Sequence, residues 1–317
     1  MDALMYSLNA TVPIFLVILV GYILKNKFHM FSDQTIAQLN KFNFRVTLPA
    51  LLFLDVAQAD FLAVWDTRYV LFCVVATTVC ISVIALFAFF LIKDRALMGE
   101  FVQASYRGSA AVLGIAFIQN IYGTSVMAPL MVIATVPIYN VAAVLILSFT
   151  APREKDVDKG LALKKSLLEI VTNPIILGIL AGLLFSLCGL KLPTMLHKTV
   201  NNFSAMATPL CLVALGAGFE GGKALKMVKP TLVCALIKLF AQAAVFLPIA
   251  FRMGFRNEML VALLVMLGAP TTASCYIMAR NMGHEGVLTS SAVVITSVLG
   301  AVSLTFWLFL MRTLGYI

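Results

Sequence analysis

Three basic residues fall inside long apolar stretches: Arg45, Arg107 and Lys238. A cation held among apolar groups without a partner attracts an anion, and arginine presents a planar fork that matches a carboxylate. Neutral ligands stand close by in the chain. Ser109 lies two positions after Arg107, and Pro270 is followed by Thr271, Thr272 and Ser274. Asn40 and Asn201 add amides that read equally as ligands or as polar contacts between helices. Glu100, Glu169, Glu220 and Glu258 fall near the ends of apolar stretches, and His29, His197 and His284 fall between stretches. The apolar interior is therefore expected to carry positive charge only. That pattern argues against a carboxylate site for Na⁺ or H⁺ and for an anionic ligand. It supplies no acid pair, metal cluster or Ser/His pair for an enzyme within a membrane, and no cofactor or metal site. Arg45 is read as a substrate contact. Arg107 stays open between substrate contact and a structural role. Lys238 is read first as structural, bonding carbonyls freed where a helix breaks, or snorkelling.

The elements that must hold these groups follow from composition. The 317 residues are 62% hydrophobic and 12% charged, with a mean hydropathy of +1.01. Soluble domains carry about a quarter charged residues. A soluble fold and a disordered chain are both excluded, which leaves a polytopic membrane protein. The net charge of +9 is spread over short loops, so it does not point to nucleic acid. Spanning the hydrocarbon takes about 20 residues per helix. Ten apolar intervals fit: 8–25, 35–56, 69–92, 100–122, 126–149, 168–189, 199–219, 231–251, 259–281 and 287–311. They lack the alternation of barrel strands, so helices are expected, since in lipid the backbone must satisfy itself. The six cysteines all lie in apolar stretches without a Cys-x-x-Cys pair and read as buried thiols. The basic-poor start does not read as a cleaved signal peptide.

Thirteen Lys and Arg residues fall in one set of loops and six in the other. The richer set is expected to be cytoplasmic, which places both termini outside. The polar linker 151–167 splits the chain into 1–150 and 168–317, each with five spans. Halves with an odd number of spans are inverted relative to each other. Leu39-Asn40-Lys41-Phe42 matches Val200-Asn201-Asn202-Phe203, with Pro49 and Pro209 following at similar distances. Val132-Ile133-Ala134-Thr135-Val136 resembles Val294-Ile295-Thr296-Ser297-Val298. Inverted repeats and broken helices near the midplane are features of secondary transporters. Breaks are expected at Gly108 and Gly114 in span 4 and at Pro270 in span 9, with further proline breaks or kinks at Pro49 and Pro209. Gly178-x-x-x-Gly182 reads as a close-packing motif, with a dimer face as one use.

Leu48-Pro49-Ala50-Leu51-Leu52-Phe53 resembles the Leu-Pro-Ala-Leu-x-Phe signature of the auxin efflux carrier family, which includes bacterial malate and malonate permeases and the plant PIN-FORMED carriers. The run from Arg107-Gly108-Ser109 through Gly114 to Ala116 is similar to that family's Arg-Gly-Asn-x-Gly-x-x-Gly-x-Pro stretch. Ala269-Pro270-Thr271 resembles its Pro-Pro crossover, and Lys238-Leu239 a Lys-Leu in span 8. The resemblance implies a fold like that of the bile-acid sodium symporters and NhaA, with spans 4 and 9 crossing as broken helices. It implies a substrate site at the crossing and an elevator-like motion. Ser109, Ala116 and Thr271 depart from the family's Asn, Pro and second Pro, which puts auxin itself in doubt as the substrate. The function expected is secondary transport of small organic anions, mono- or dicarboxylates, across a prokaryotic inner membrane. An anion channel and a non-transporting sensor subunit are the alternatives. The expected partners are the anion and the bilayer, with a homodimer left open.

Overall fold

The computed structural model describes residues 2–57, 65–110, 118, 121–122, 127–152, 168 and 171–317. Regular structure among them is helical, apart from one antiparallel bridge between Gly108 and Thr271. In chain order the helices are α1 (Asp2–Asn26), α2 (Asp33–Phe42), α3 (Leu48–Ala57), α4 (Thr67–Leu91), α5 (Arg95–Tyr106) and α6 (Met127–Thr150). They continue with α7 (Pro174–Leu187), α8 (Thr194–Ala217), α9 (Gly221–Lys226), α10 (Val228–Leu236) and α11 (Gln242–Arg252). The last three are α12 (Glu258–Gly268), α13 (Ser274–Asn281) and α14 (Val287–Thr313).

Five helical stretches are long and apolar enough to cross a membrane: Thr67–Leu91, Met127–Thr150, Thr194–Ala217, Val228–Arg252 and Val287–Thr313. Their surfaces agree with that solvent. Along α4, Leu71, Val75, Val79, Val83, Leu86 and Phe90 form an exposed stripe, while Tyr69, Cys73, Ala76, Cys80 and Ile84 are buried. A helix apolar on both its buried and its exposed face suits lipid and not water. The cysteines are free thiols; five are buried and Cys188 is exposed.

Two helical runs pass through a π turn. Asn43–Thr47 joins α2 to α3, and Ile237–Ala241 joins α10 to α11. The first has a local cause. Pro49 has no N–H to give the carbonyl four residues back, and the turn before it widens, so the Leu48 N–H reaches the Asn43 carbonyl. Pro49 therefore reshapes its helix without ending it. Pro209 does less still: α8 runs unbroken across it, so the expected break is absent there. Gly114 lies outside the described residues.

The Gly178-x-x-x-Gly182 pair packs within the chain. A Cβ on Gly178 would come 2.7 Å from the Pro49 carbonyl oxygen, and one on Gly182 the same distance from that of Phe53. These glycines seat α7 directly on the backbone of α3, so this face is filled from inside and is not free for a dimer. Gly178→Ala forces backbone apart, and we expect it to cost about 1–3 kcal/mol. The check is a lower thermal unfolding midpoint in detergent.

Candidate functional site

Two helices stop short and meet at their broken ends. α5 ends at Tyr106, and Arg107-Gly108-Ser109 runs on in extended form. α12 ends at Gly268, and the chain resumes helix only at Ser274. The two extended pieces pair: Gly108 bridges Thr271, and the Ser109 N–H donates to the Pro270 carbonyl at 2.9 Å. Gly108 packs closely here: a Cβ would come 2.9 Å from the end of the Lys238 side chain and 3.3 Å from the Ala269 carbonyl oxygen, so Lys238 would have to shift. Pro270 in turn sits against Gly300 of α14, where any side chain would strike its ring.

The breaks free carbonyls, and those of Met266, Leu267, Ala104 and Ser105 find side-chain donors. Pro270 has no N–H for the Met266 carbonyl, which accepts from Lys238 Nζ at 3.1 Å and from the Tyr139 hydroxyl at 3.1 Å. The Thr271 N–H turns away to Thr296 Oγ1 at 3.0 Å, and the Leu267 carbonyl accepts from Lys238 Nζ at 2.9 Å. The Thr271 hydroxyl donates to the Ala104 carbonyl at 2.9 Å, near the end of the other broken helix. Gln242 and Gln103 add donors to the Ser105 and Cys275 carbonyls at 2.6 and 2.9 Å. Lys238, fully buried on its π turn, is thus bonded to the C-terminus of α12, where helix carbonyls carry partial negative charge.

Arg107 is placed differently. Its guanidinium donates to Asn140 Oδ1 at 2.6 Å, Ser274 Oγ at 3.0 Å and Met278 Sδ at 2.6 Å. Every one of these acceptors is neutral. Arg107 is 4% exposed, and it lines a cavity of about 110 Å³. Ser109, Thr271, Thr272, Ser274, Asn140 and Thr208 supply further polar groups to the wall. Leu48, Leu51, Leu52, Leu212, Val136 and Val293 make much of the rest.

The structure gathers Arg107, Gly108, Ser109, Pro270, Thr271, Thr272 and Ser274 at this cavity. It does not bring the remaining candidates there. Arg45 is exposed on the outer side of the π turn. Asn201 is exposed on α8. Asn40 is buried away from the cavity, with its backbone carbonyl accepting from Asn281 at 3.0 Å. Lys238 lies behind Gly108 instead of on the wall.

One wall residue overturns an expectation. Asp55, in the last turn of α3, lines the same cavity as Arg107. The interior is not cationic throughout. Asp55 escaped notice because it stands one residue from the edge of its apolar interval, where an acid reads as a boundary marker. Asn140 and Tyr139 were missed for another reason: both sit inside an unbroken apolar run, Met127–Thr150, and nothing in the local pattern separates a lining residue from a packed one.

No curated protein sequence matches the chain. A family profile described as membrane transport protein matches residues 6–308, nearly the whole length. With the Leu48–Phe53 signature and the broken segments around Arg107 and Pro270 already in place, the chain belongs to the auxin efflux carrier family of membrane transport proteins.

Proposed function

We propose that this transporter carries small organic anions, and that its substrates are monocarboxylates. The observation that carries this is the Arg107 guanidinium, buried on the cavity wall with neutral partners only. A buried cation so placed gains most from an anion brought to it. The wider class expected from the sequence includes dicarboxylates, but among the described residues the wall offers a single cation. Arg45 is outside and Lys238 is committed to carbonyls, so a second carboxylate would meet no positive partner. The apolar walls suit the body of a monoanion, and the Ser, Thr and Asn groups suit its remaining polar atoms.

The same reading takes the paired extended segments as the crossing of spans 4 and 9 in a two-repeat, ten-span architecture, with an elevator-like motion carrying the site across a prokaryotic inner membrane. What supports it is that each break is stabilised by the other: Ser109 on Pro270, Thr271 on Ala104, Lys238 against Gly108. Such a unit keeps its internal hydrogen bonds if it moves as one body. The termini are placed outside and the 151–167 linker inside by the basic-residue bias. The reading contains no catalytic step.

Lactate and malate test the substrate class, since malate is lactate with one added carboxylate. In proteoliposomes, external lactate is expected to accelerate release of internal labelled lactate and to saturate, while malate does not. Arg45→Ala is expected to leave this counterflow within twofold of wild type. Counterflow with malate alone would refute the single-charge reading. Non-saturating release would favour a channel. Loss of counterflow in Arg45→Ala would return Arg45 to the site.

A further inference from the structure

We propose that Asp55 is the proton carrier of this cavity: it takes up one proton as the carboxylate binds beside Arg107 and gives it back when the carboxylate leaves. This rests on the anion reading above and goes beyond it to the coupling ion. The cavity of about 110 Å³ has Arg107 and Asp55 on its wall together. With Asp55 ionised, the two charges cancel and an arriving anion meets a like charge within the same small space. With Asp55 protonated, the cavity is singly positive and matches one carboxylate. Like charges sharing a site raise the proton affinity of one of them. The bound anion therefore favours the protonated acid, and by reciprocity the proton favours the anion.

Among the described residues no other charged group shares the cavity with Asp55 besides Arg107. Among the described residues no ion pair reaches it. The titratable groups that share its cavity are Arg107, Tyr139 on α6 and Cys211 on α8. α7, packed along α3, has no ionisable side chain apart from Cys188 at its C-terminal cap, and Arg45 on the adjoining π turn is exposed. Leu48, Leu51, Leu52 and Ile14 add hydrocarbon to the wall that the acid shares. Intramembrane carboxylates so placed are the usual parts of proton relays. Among the described residues that line the cavity, Asp55 is the one carboxylate, so a single acid is offered for a single proton. The chemistry balances simply: an O–H bond forms on Asp55 with a proton from one side and breaks to the other, and no other reagent is needed.

Calorimetric titration of the purified protein with lactate, repeated in buffers of differing ionisation enthalpy, counts protons taken up per anion bound. Wild type is expected to take up close to one proton. Its affinity is expected to weaken about tenfold per pH unit across the alkaline limb. Asp55→Asn, which resembles the protonated acid, is expected to bind lactate with no proton uptake and no such pH slope. Asp55→Glu is expected to restore both, which separates a titrating role from a shape role if the asparagine variant folds poorly. Lactate binding to wild type without proton uptake would overturn the proposal and leave the substrate reading standing. So would unchanged proton uptake in Asp55→Asn, or binding that requires Na⁺ at constant pH. Absence of lactate binding in wild type would remove the substrate reading and this proposal with it.

Discussion

Arg107→Gln is expected to weaken lactate binding about 100-fold while the protein stays folded. The size follows from what the guanidinium does. Hydrogen bonds to charged groups contribute about 1.5–3 kcal/mol each, and about 3 kcal/mol corresponds to roughly two decades in affinity. Glutamine keeps a polar head that Asn140 and Ser274 can bond, so the groups left behind are not orphaned. The Met266 and Leu267 carbonyls at the end of α12 do not depend on the guanidinium, because they are held by Lys238 and Tyr139. The unfolding midpoint in the absence of ligand should therefore stay near wild type. The stabilisation that lactate adds should vanish, since binding raises stability in step with occupancy. Arg107→Lys should recover part of the affinity, as charge is retained and the planar fork is lost. Full lactate affinity in Arg107→Gln would show that the cation is only a scaffold.

Glu100→Leu is expected to have the largest effect on stability. Glu100 is buried at 3% exposure within α5. Its carboxylate accepts from the Gly286 N–H at 2.8 Å, the Thr289 N–H at 3.1 Å and the Thr289 hydroxyl at 3.2 Å. The two N–H groups are free donors at the start of α14, the end of the helix that favours negative charge. Leucine fills the space but leaves buried donors unmet, at about 1–3 kcal/mol for each. A total loss of about 2–6 kcal/mol is expected, enough to lower the yield of folded protein as well as its melting point. Glu100→Gln keeps one acceptor oxygen and should lose less than half as much. The neighbouring His284 ring, held between the Ala96 and Leu147 carbonyls at 3.1 and 3.0 Å, ties the same corner together. A melting point unchanged in Glu100→Leu would mean that water satisfies these donors.

The parts of the site that were readable in the chain are those where backbone chemistry decides. Pro270 cannot donate, so a break was foreseeable there, and hydroxyl residues around it were natural partners. Gly108 beside Arg107 marked the second break, because glycine is free to leave the helical conformation. Side-chain bearings were a different matter. Arg45 looked deep by count along its apolar interval, yet it lies exposed on a π turn whose Asn43, Phe44 and Thr47 face inward. Asn40 and Asn201 matched in sequence but part company in space, one buried beside Asn281 and the other exposed. Asp55 shows the converse, an acid at the edge of an apolar run that the folded chain turns onto the cavity.

The π turn at Asn43–Thr47 has a consequence for the acid that follows it. Each residue of an α-helix advances the bearing by about 100°. A widened turn absorbs one extra residue, so all that follows is turned by about that angle from where an even helix would send it. Asp55 lies downstream, and its direction into the cavity is thus set by how many residues precede it. Substitution scans hold that number constant and cannot sense it. Deleting one residue from the turn would keep every functional group in the chain and still swing the carboxylate away from Arg107. For this helix the insertion is a phase element, and its length is as much a part of the site as the acid it aims.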